Sequence, residues 1–262
     1  MVIDAAPQIL ALDFDGVICN GLREYFQTTQ RTYRQIWTDH SVDQLEGMCE
    51  EFYQLRPVIE TGWEMPILLR ALMLGYGKME LESHWSSICQ DIVARDNLNS
   101  QDLMVQLDGV RDDWIETDLA GWLALHDFYP GIIVRLLKIL NSSTLLYIVT
   151  TKEGRFVQQL LQQQGVELPR QNILGKEVKQ PKYQTLRQLL ENHAQSPSCL
   201  WFVEDLLNTL HKVRQQADLQ EVKLFLADWG YNTSTTRNLV AETPGIELLS
   251  LAQFNQDYSA WL

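Results

Sequence analysis

Asp13 and Asp15 stand one residue apart, directly after the apolar run Ile9-Leu-Ala-Leu12 and directly before Gly16. A short uniformly apolar run predicts a strand buried on both faces of a parallel sheet. On an extended backbone this spacing sends both carboxylates the same way. Two like charges so close repel each other unless a cation joins them or one carries a proton. A solvated Asp-x-Asp turn, with Gly16 allowing the bend, is the plainer alternative. Three other groups carry comparable chemistry. Thr150-Thr151-Lys152 precedes a predicted helix, where hydroxyls and free backbone N–H groups make a seat for phosphate, or an ordinary threonine cap. Lys182 lies one residue inside another predicted helix, with Lys179 and Lys176 close by in sequence, and each also reads as surface lysine. Glu204-Asp205 ends a further apolar run, where loop acids are equally at home.

The elements that must position these groups follow from periodicity and punctuation. After Gly16 the pattern is helical for over a hundred residues. Helices are expected over about 22–37, 42–55, 66–74, 80–95 and 101–125, with Gly75-Tyr-Gly77 and Asp108-Gly109 as breaks. Beyond Tyr129-Pro130-Gly131, helix and strand alternate. Helices are expected at 132–140, 153–164, 181–193 and 206–217. Strands are expected at 144–149, 172–174, 200–203, 222–227 and, as an edge, 246–249. Pro181 suits the first helical position. Such alternation predicts an α/β, Rossmann-like core with a doubly wound parallel sheet, residues 1–18 and 129–262, carrying an all-helical domain over 19–128 after the first strand. In sheets of this kind ligands bind beyond the carboxyl ends of the strands, where all four polar groups fall.

Composition sets the outer limits. A net charge of −13, from 34 acids against 21 bases, disfavours nucleic acid and anionic membrane surfaces as partners. An anionic substrate must then be captured by local groups rather than by the overall field. Cys19, Cys49, Cys89 and Cys199 are scattered without metal-type pairing and read as reduced thiols. Residues 1–8 lack a basic and an apolar segment, which argues against a secretion signal. The expectation is a cytoplasmic protein, a monomer or homodimer.

Taken together the four groups resemble the motifs of the haloacid dehalogenase-like superfamily. Leu12-Asp13-Phe14-Asp15-Gly16-Val17 resembles its first motif, Ile148-Val149-Thr150 its second, Lys182-Tyr-Gln-Thr-Leu186 its third and Val203-Glu204-Asp205 its fourth. Tyr129-Pro130-Gly131 and Asp228-Trp229-Gly230-Tyr231 are similar to flanks in phosphoglycolate phosphatase-like members, whose helical cap sits where this chain has its insertion. The resemblance implies a phosphatase acting on a small phosphorylated metabolite. Asp13 would be the nucleophile, Asp15 the acid–base group, and Thr150 and Lys182 the phosphoryl holders; apart from the resemblance, Thr151 beside Thr150 and Arg56 at the Pro57 turn are further candidate substrate contacts. Mg²⁺ would be held by Asp13, the Asp15 backbone carbonyl and Asp205, with Glu204 replacing or assisting a ligand. A phosphosugar mutase would share every core residue, and a weakly catalytic phosphate-binding protein is the reading from another class. Thr209 departs from the motif, standing where fuller members have a second Asp, and Lys179 competes with Lys182 for the third motif. Arg56, Glu60 and Glu64 are read as surface residues more readily than as substrate contacts.

Overall fold

Ile9–Leu12 forms β1, and all four side chains are fully buried. The computed structural model describes residues 6–39 and 41–262. Two residue pairs, Cys19–Asn20 (β2) and Asp127–Phe128 (β3), make an antiparallel ribbon. Leu145–Val149 (β4), Ile173–Leu174 (β5), Leu200–Glu204 (β6), Lys223–Ala227 (β7) and Ile246–Leu249 (β8) complete a six-stranded sheet with β1. Its order is β5-β4-β1-β6-β7-β8 and every pairing is parallel. The chain leaves β1 for β4 on one side and later returns to β6 on the other. This reversal of direction opens a crevice at the carboxyl ends of β1, β4 and β6. The fold is the expected α/β doubly wound parallel sheet.

The chain divides into two compact units, one of residues up to Asn20 with Asp127–Leu262, the other Gly21–His126. The second unit is helical, with α1 (Leu22–Ile36), α2 (Val42–Glu46), α3 (Cys49–Leu55), α4 (Glu64–Met73), α5 (Lys78–Arg95) and α6 (Ser100–Leu123). Two expectations are corrected here. The single helix expected over 42–55 is two, because Gly47 closes α2 and α3 restarts after Met48. Conversely α6 runs straight through Gly109. Leu103, Leu107, Val110 and Trp114 form one buried stripe across it, and their burial outweighs the roughly 1 kcal/mol that a mid-helix glycine costs. The kink falls at Asp118 instead, whose carboxylate accepts the Gly121 N–H at 2.9 Å.

In the sheet unit, α7 (Ile132–Leu140), α8 (Gly154–Gln163), α9 (Lys182–His193) and α10 (Leu207–Arg214) alternate with the strands. Pro181 stands at the N-cap of α9 rather than inside it. The helix expected to reach 217 stops at Arg214 and yields to a short 3₁₀ turn, Ala217–Leu219. Two short helices were not foreseen. Ser234–Val240 (α11) is capped by Thr233, and Leu251–Phe254 (α12) by the reciprocal pair Ser250 and Gln253. Among the described residues no helix is long and apolar enough to cross a membrane.

Candidate active site

The strand geometry of β1 stops at Leu12, and Asp13 and Asp15 follow it close enough that the Asp15 charge acts on Asp13. The Asp13 N–H still bonds the Val203 carbonyl at 2.9 Å, which keeps the residue in line with the sheet and buried. The chain then folds back on itself: the Ile18 and Cys19 N–H groups both reach the Phe14 carbonyl at 2.9 Å, and Gly16 N–H reaches Cys19 O at 2.8 Å. Gly16 adopts φ +89°, and any side chain there would run into the Asp205 carboxylate. The turn therefore sends the two acids to different partners. Asp13 Oδ1 lies 2.9 Å from Lys182 Nζ, while Asp15 Oδ1 and Oδ2 lie 3.3 and 3.4 Å from Lys152 Nζ.

Lys182, first residue of α9, also donates to Glu204 Oε2 at 2.6 Å. Glu204 closes β6 and is fully buried. Its other oxygen accepts the N–H groups of Asp205 and Leu206 at 3.1 and 3.0 Å. Both oxygens of Glu204 are thus engaged in fixing Lys182 and the turn into α10. Asp205 Oδ2 accepts the Tyr231 N–H at 2.7 Å, and the Asp205 carbonyl accepts Asn232 Nδ2 at 3.1 Å. Gly230 packs flush against Asp205 and the Gly16 carbonyl, leaving no room for a Cβ. The loop after β7 is therefore a clamp on Asp205.

The electrostatics are unbalanced. Burial, then the nearby Glu204 charge, push the Asp13 carboxyl up to about 7, with Lys182 pulling the other way. Burial likewise pushes Glu204 up to about 7 against Lys182. The lysine moves up too, because its two carboxylates outweigh its own desolvation. One oxygen each from Asp13, Glu204 and Asp205 lies within 4.8 Å of the others. Three buried carboxylates thus crowd one place, Lys182 meets two of them, and Asp13 Oδ1 has no hydrogen bond beyond that ion pair. Such a donor set fits a hard divalent cation, for which one or two carboxylates and waters suffice. With Glu204 engaged by Lys182, Asp13 and Asp205 are the carboxylates suited to it.

Thr150 follows β4, buried, its N–H on the Leu174 carbonyl at 3.0 Å and its Oγ1 accepting the Lys152 N–H at 3.1 Å. Thr150, Thr151, Gly175, Lys179 and Lys182 line a cavity of about 380 Å³. Thr151 is exposed at its rim. Lys179 is exposed in a left-handed conformation (φ +53°), and it is Lys182 that meets Asp13. In the helical unit Arg56 donates to the Ile59 carbonyl at 2.9 Å and stacks 5.1 Å from the Tyr25 ring. Glu64 is not a surface residue. It is buried, accepting Trp85 Nε1 at 2.9 Å, Thr61 Oγ1 at 2.8 Å and the Glu60 N–H at 3.2 Å.

A family model described as haloacid dehalogenase-like hydrolase matches residues 7–210, most of the chain and all four groups at the strand ends. The chain belongs to the haloacid dehalogenase-like hydrolases. None of the curated proteins compared with it matches. Among solved structures, a haloacid dehalogenase-like family hydrolase from Streptococcus pneumoniae is 15% identical with a TM-score of 0.58, covering 93% of this chain and 94% of that one. A predicted phosphoglycolate phosphatase from Haemophilus somnus 129pt is 13% identical with a TM-score of 0.60, covering 98% and 96%. A predicted phosphatase from Clostridium acetobutylicum is 13% identical with a TM-score of 0.57, covering 95% and 97%. At these identities the likeness is one of fold. In this hydrolase Thr209 is half-buried in α10. Sequence reading missed Lys152 on Asp15 and the Tyr231–Asn232 clamp on Asp205.

Proposed function

We propose that this hydrolase is a Mg²⁺-dependent phosphatase that cleaves a small phosphate monoester through an aspartyl phosphate on Asp13. The observation that carries the reading is Lys182, whose ammonium touches Asp13 and Glu204 while Asp205 completes the acidic cluster. Asp13 attacks phosphorus, forming an acyl phosphate as the P–O bond to the substrate alcohol breaks. Asp15 gives its proton to the departing oxygen. It then takes a proton from the water that attacks the acyl phosphate, releasing inorganic phosphate and restoring Asp13. Lys182 and Thr150 hold the equatorial oxygens and offset their charge. Mg²⁺, held by Asp13, Asp205 and the Asp15 carbonyl, would neutralise charge on the phosphoryl group and keep Asp13 ionised near neutrality. The predicted phosphoglycolate phosphatase among the solved structures is consistent with a small phosphorylated metabolite as substrate.

The cysteines are free thiols, which suits a reducing, cytoplasmic setting, and the acidic surface suits a monomer or homodimer without nucleic acid. A mutase would use the same core residues and differ in returning the phosphoryl group to sugar. The test is phosphate release from a panel of sugar and hydroxy-acid phosphates and an aryl phosphate, with Mg²⁺ and with chelator. Chelator-sensitive release supports the reading. Transfer without release points to a mutase. Binding with neither leaves a phosphate-binding protein.

A further inference from the structure

We propose that Lys152 is a positioning residue for Asp15, holding its carboxylate in the orientation that proton transfer at the leaving oxygen needs. The inference rests on the acid–base reading of Asp15. The ammonium of Lys152 lies 3.3 Å from one Asp15 oxygen and 3.4 Å from the other, so it fixes the carboxylate plane rather than one atom. Both side chains are largely covered, at 9% and 14% exposed.

The lysine is delivered from a pinned loop. Its N–H is bound by Thr150 Oγ1 at 3.1 Å, and its carbonyl accepts the Lys176 N–H at 2.9 Å. Gly175 lies flush on that carbonyl and on Gly154 N, with no room for a Cβ, and Glu177 accepts the Gly154 N–H at 3.1 Å. Asp15 is pinned as well, through its backbone bridge to Cys19. Two rigid segments, from β1 and β4, thus present one ion pair. Lys182 meanwhile is committed to Asp13 and Glu204, so each lysine serves a separate carboxylate of the reaction. A residue so placed acts through Asp15 rather than on the phosphoryl group.

A double-mutant cycle tests this. Lys152→Met should lower kcat for an alkyl phosphate by roughly 10- to 100-fold, and for a nitrophenyl phosphate only about threefold, because a good leaving group needs little protonation. KM should hardly move, and Lys152→Arg should recover most of the loss. In an Asp15→Asn background Lys152→Met should cost no more than about twofold further, since the pathway through Asp15 is already gone. A full further loss in that background, or a raised KM with kcat kept, means that Lys152 acts on the substrate phosphate and overturns the inference. Equal losses for both substrates with a lowered melting temperature mean a structural role, which overturns it too. If Asp15→Asn alone lacks the leaving-group signature, the acid–base reading falls and takes the inference with it. That failure is visible in the single variant.

Discussion

Each unit buries a glutamate completely, and the two are treated differently. Glu24 of the helical unit accepts Arg111 Nε at 2.8 Å, Thr28 Oγ1 at 2.7 Å and Trp122 Nε1 at 3.1 Å. Arg111 meets Glu24 directly, with Asp108 at 3.8 Å from its other end, and the neutral donors of Thr28 and Trp122 fill the remaining capacity of Glu24. Glu204 of the sheet unit shares its one ammonium with Asp13 and has Asp205 beside it. A buried charge met by a close cation and by neutral donors is architecture. Buried carboxylates crowded against one another are held at a cost that folding alone does not justify, and they mark a place suited to a cation or a phosphoryl group.

The sharpest way to break this contrast is to remove one acid from the crowded centre. Asp13→Asn should reduce turnover to background while raising the melting temperature of the metal-free protein, because the repulsion is relieved and the amide is nearly isosteric. Loss of turnover together with loss of stability would place Asp13 with Glu24, as architecture. Next come the cations. Lys182→Ala should cost about 10²- to 10³-fold in kcat, the scale of a lost oxyanion donor. Lys179→Ala should stay within about twofold, as surface substitutions away from special features do. Arg111→Ala should instead destabilise by about 3 kcal/mol, since it strands a buried acid. Chemical denaturation beside steady-state kinetics of the three variants separates them. An Lys179→Ala defect exceeding that of Lys182→Ala would reverse the assignment.

The fold was legible where burial is uniform. β1, β4, β6 and β7 are apolar runs ended by polar residues, and the parallel sheet follows from them. The β2–β3 ribbon has two residues a side and therefore no periodicity to read. α11 buries only Val240, so it shows no stripe, and Gly109 reads as a break by its type although the buried residues on either side of it hold the helix together. At the site, the residues at strand ends stood out by type and place. The ion pair of Lys152 with Asp15 spans 137 residues of sequence and leaves no local trace. Tyr231 holds Asp205 through a backbone N–H, which almost any residue type supplies.

A smaller effect concerns pH. Asp13 and Glu204 are raised from ordinary carboxyl values of 3.8 and 4.5 to about 7, so the folded protein holds these protons more tightly than the unfolded chain. Their contribution to stability is full below about 4 and is lost as pH rises through about 7. In chelator, the melting temperature of the parent should therefore fall between pH 5 and pH 8 relative to that of Asp13→Asn, and Mg²⁺ should restore it at pH 8. A constant difference between the two proteins across that range would remove the charge imbalance from the account. The smallest expected effect is at Thr209. Thr209→Asp should change the Mg²⁺ concentration for half-maximal activity by no more than about twofold, because Mg²⁺ needs only one or two protein carboxylates.

The central claim is that Asp13, the acid beside the shared lysine, carries the phosphoryl group. The most direct measurement is to mix enzyme, Mg²⁺ and an aryl phosphate, quench in acid within one turnover, and map the phosphoryl adduct by peptide mass spectrometry. The adduct should lie on the peptide containing Asp13, be released by hydroxylamine as acyl phosphates are, and be missing from Asp13→Asn. An adduct on another residue, or none while Asp13→Asn still turns over, would contradict it.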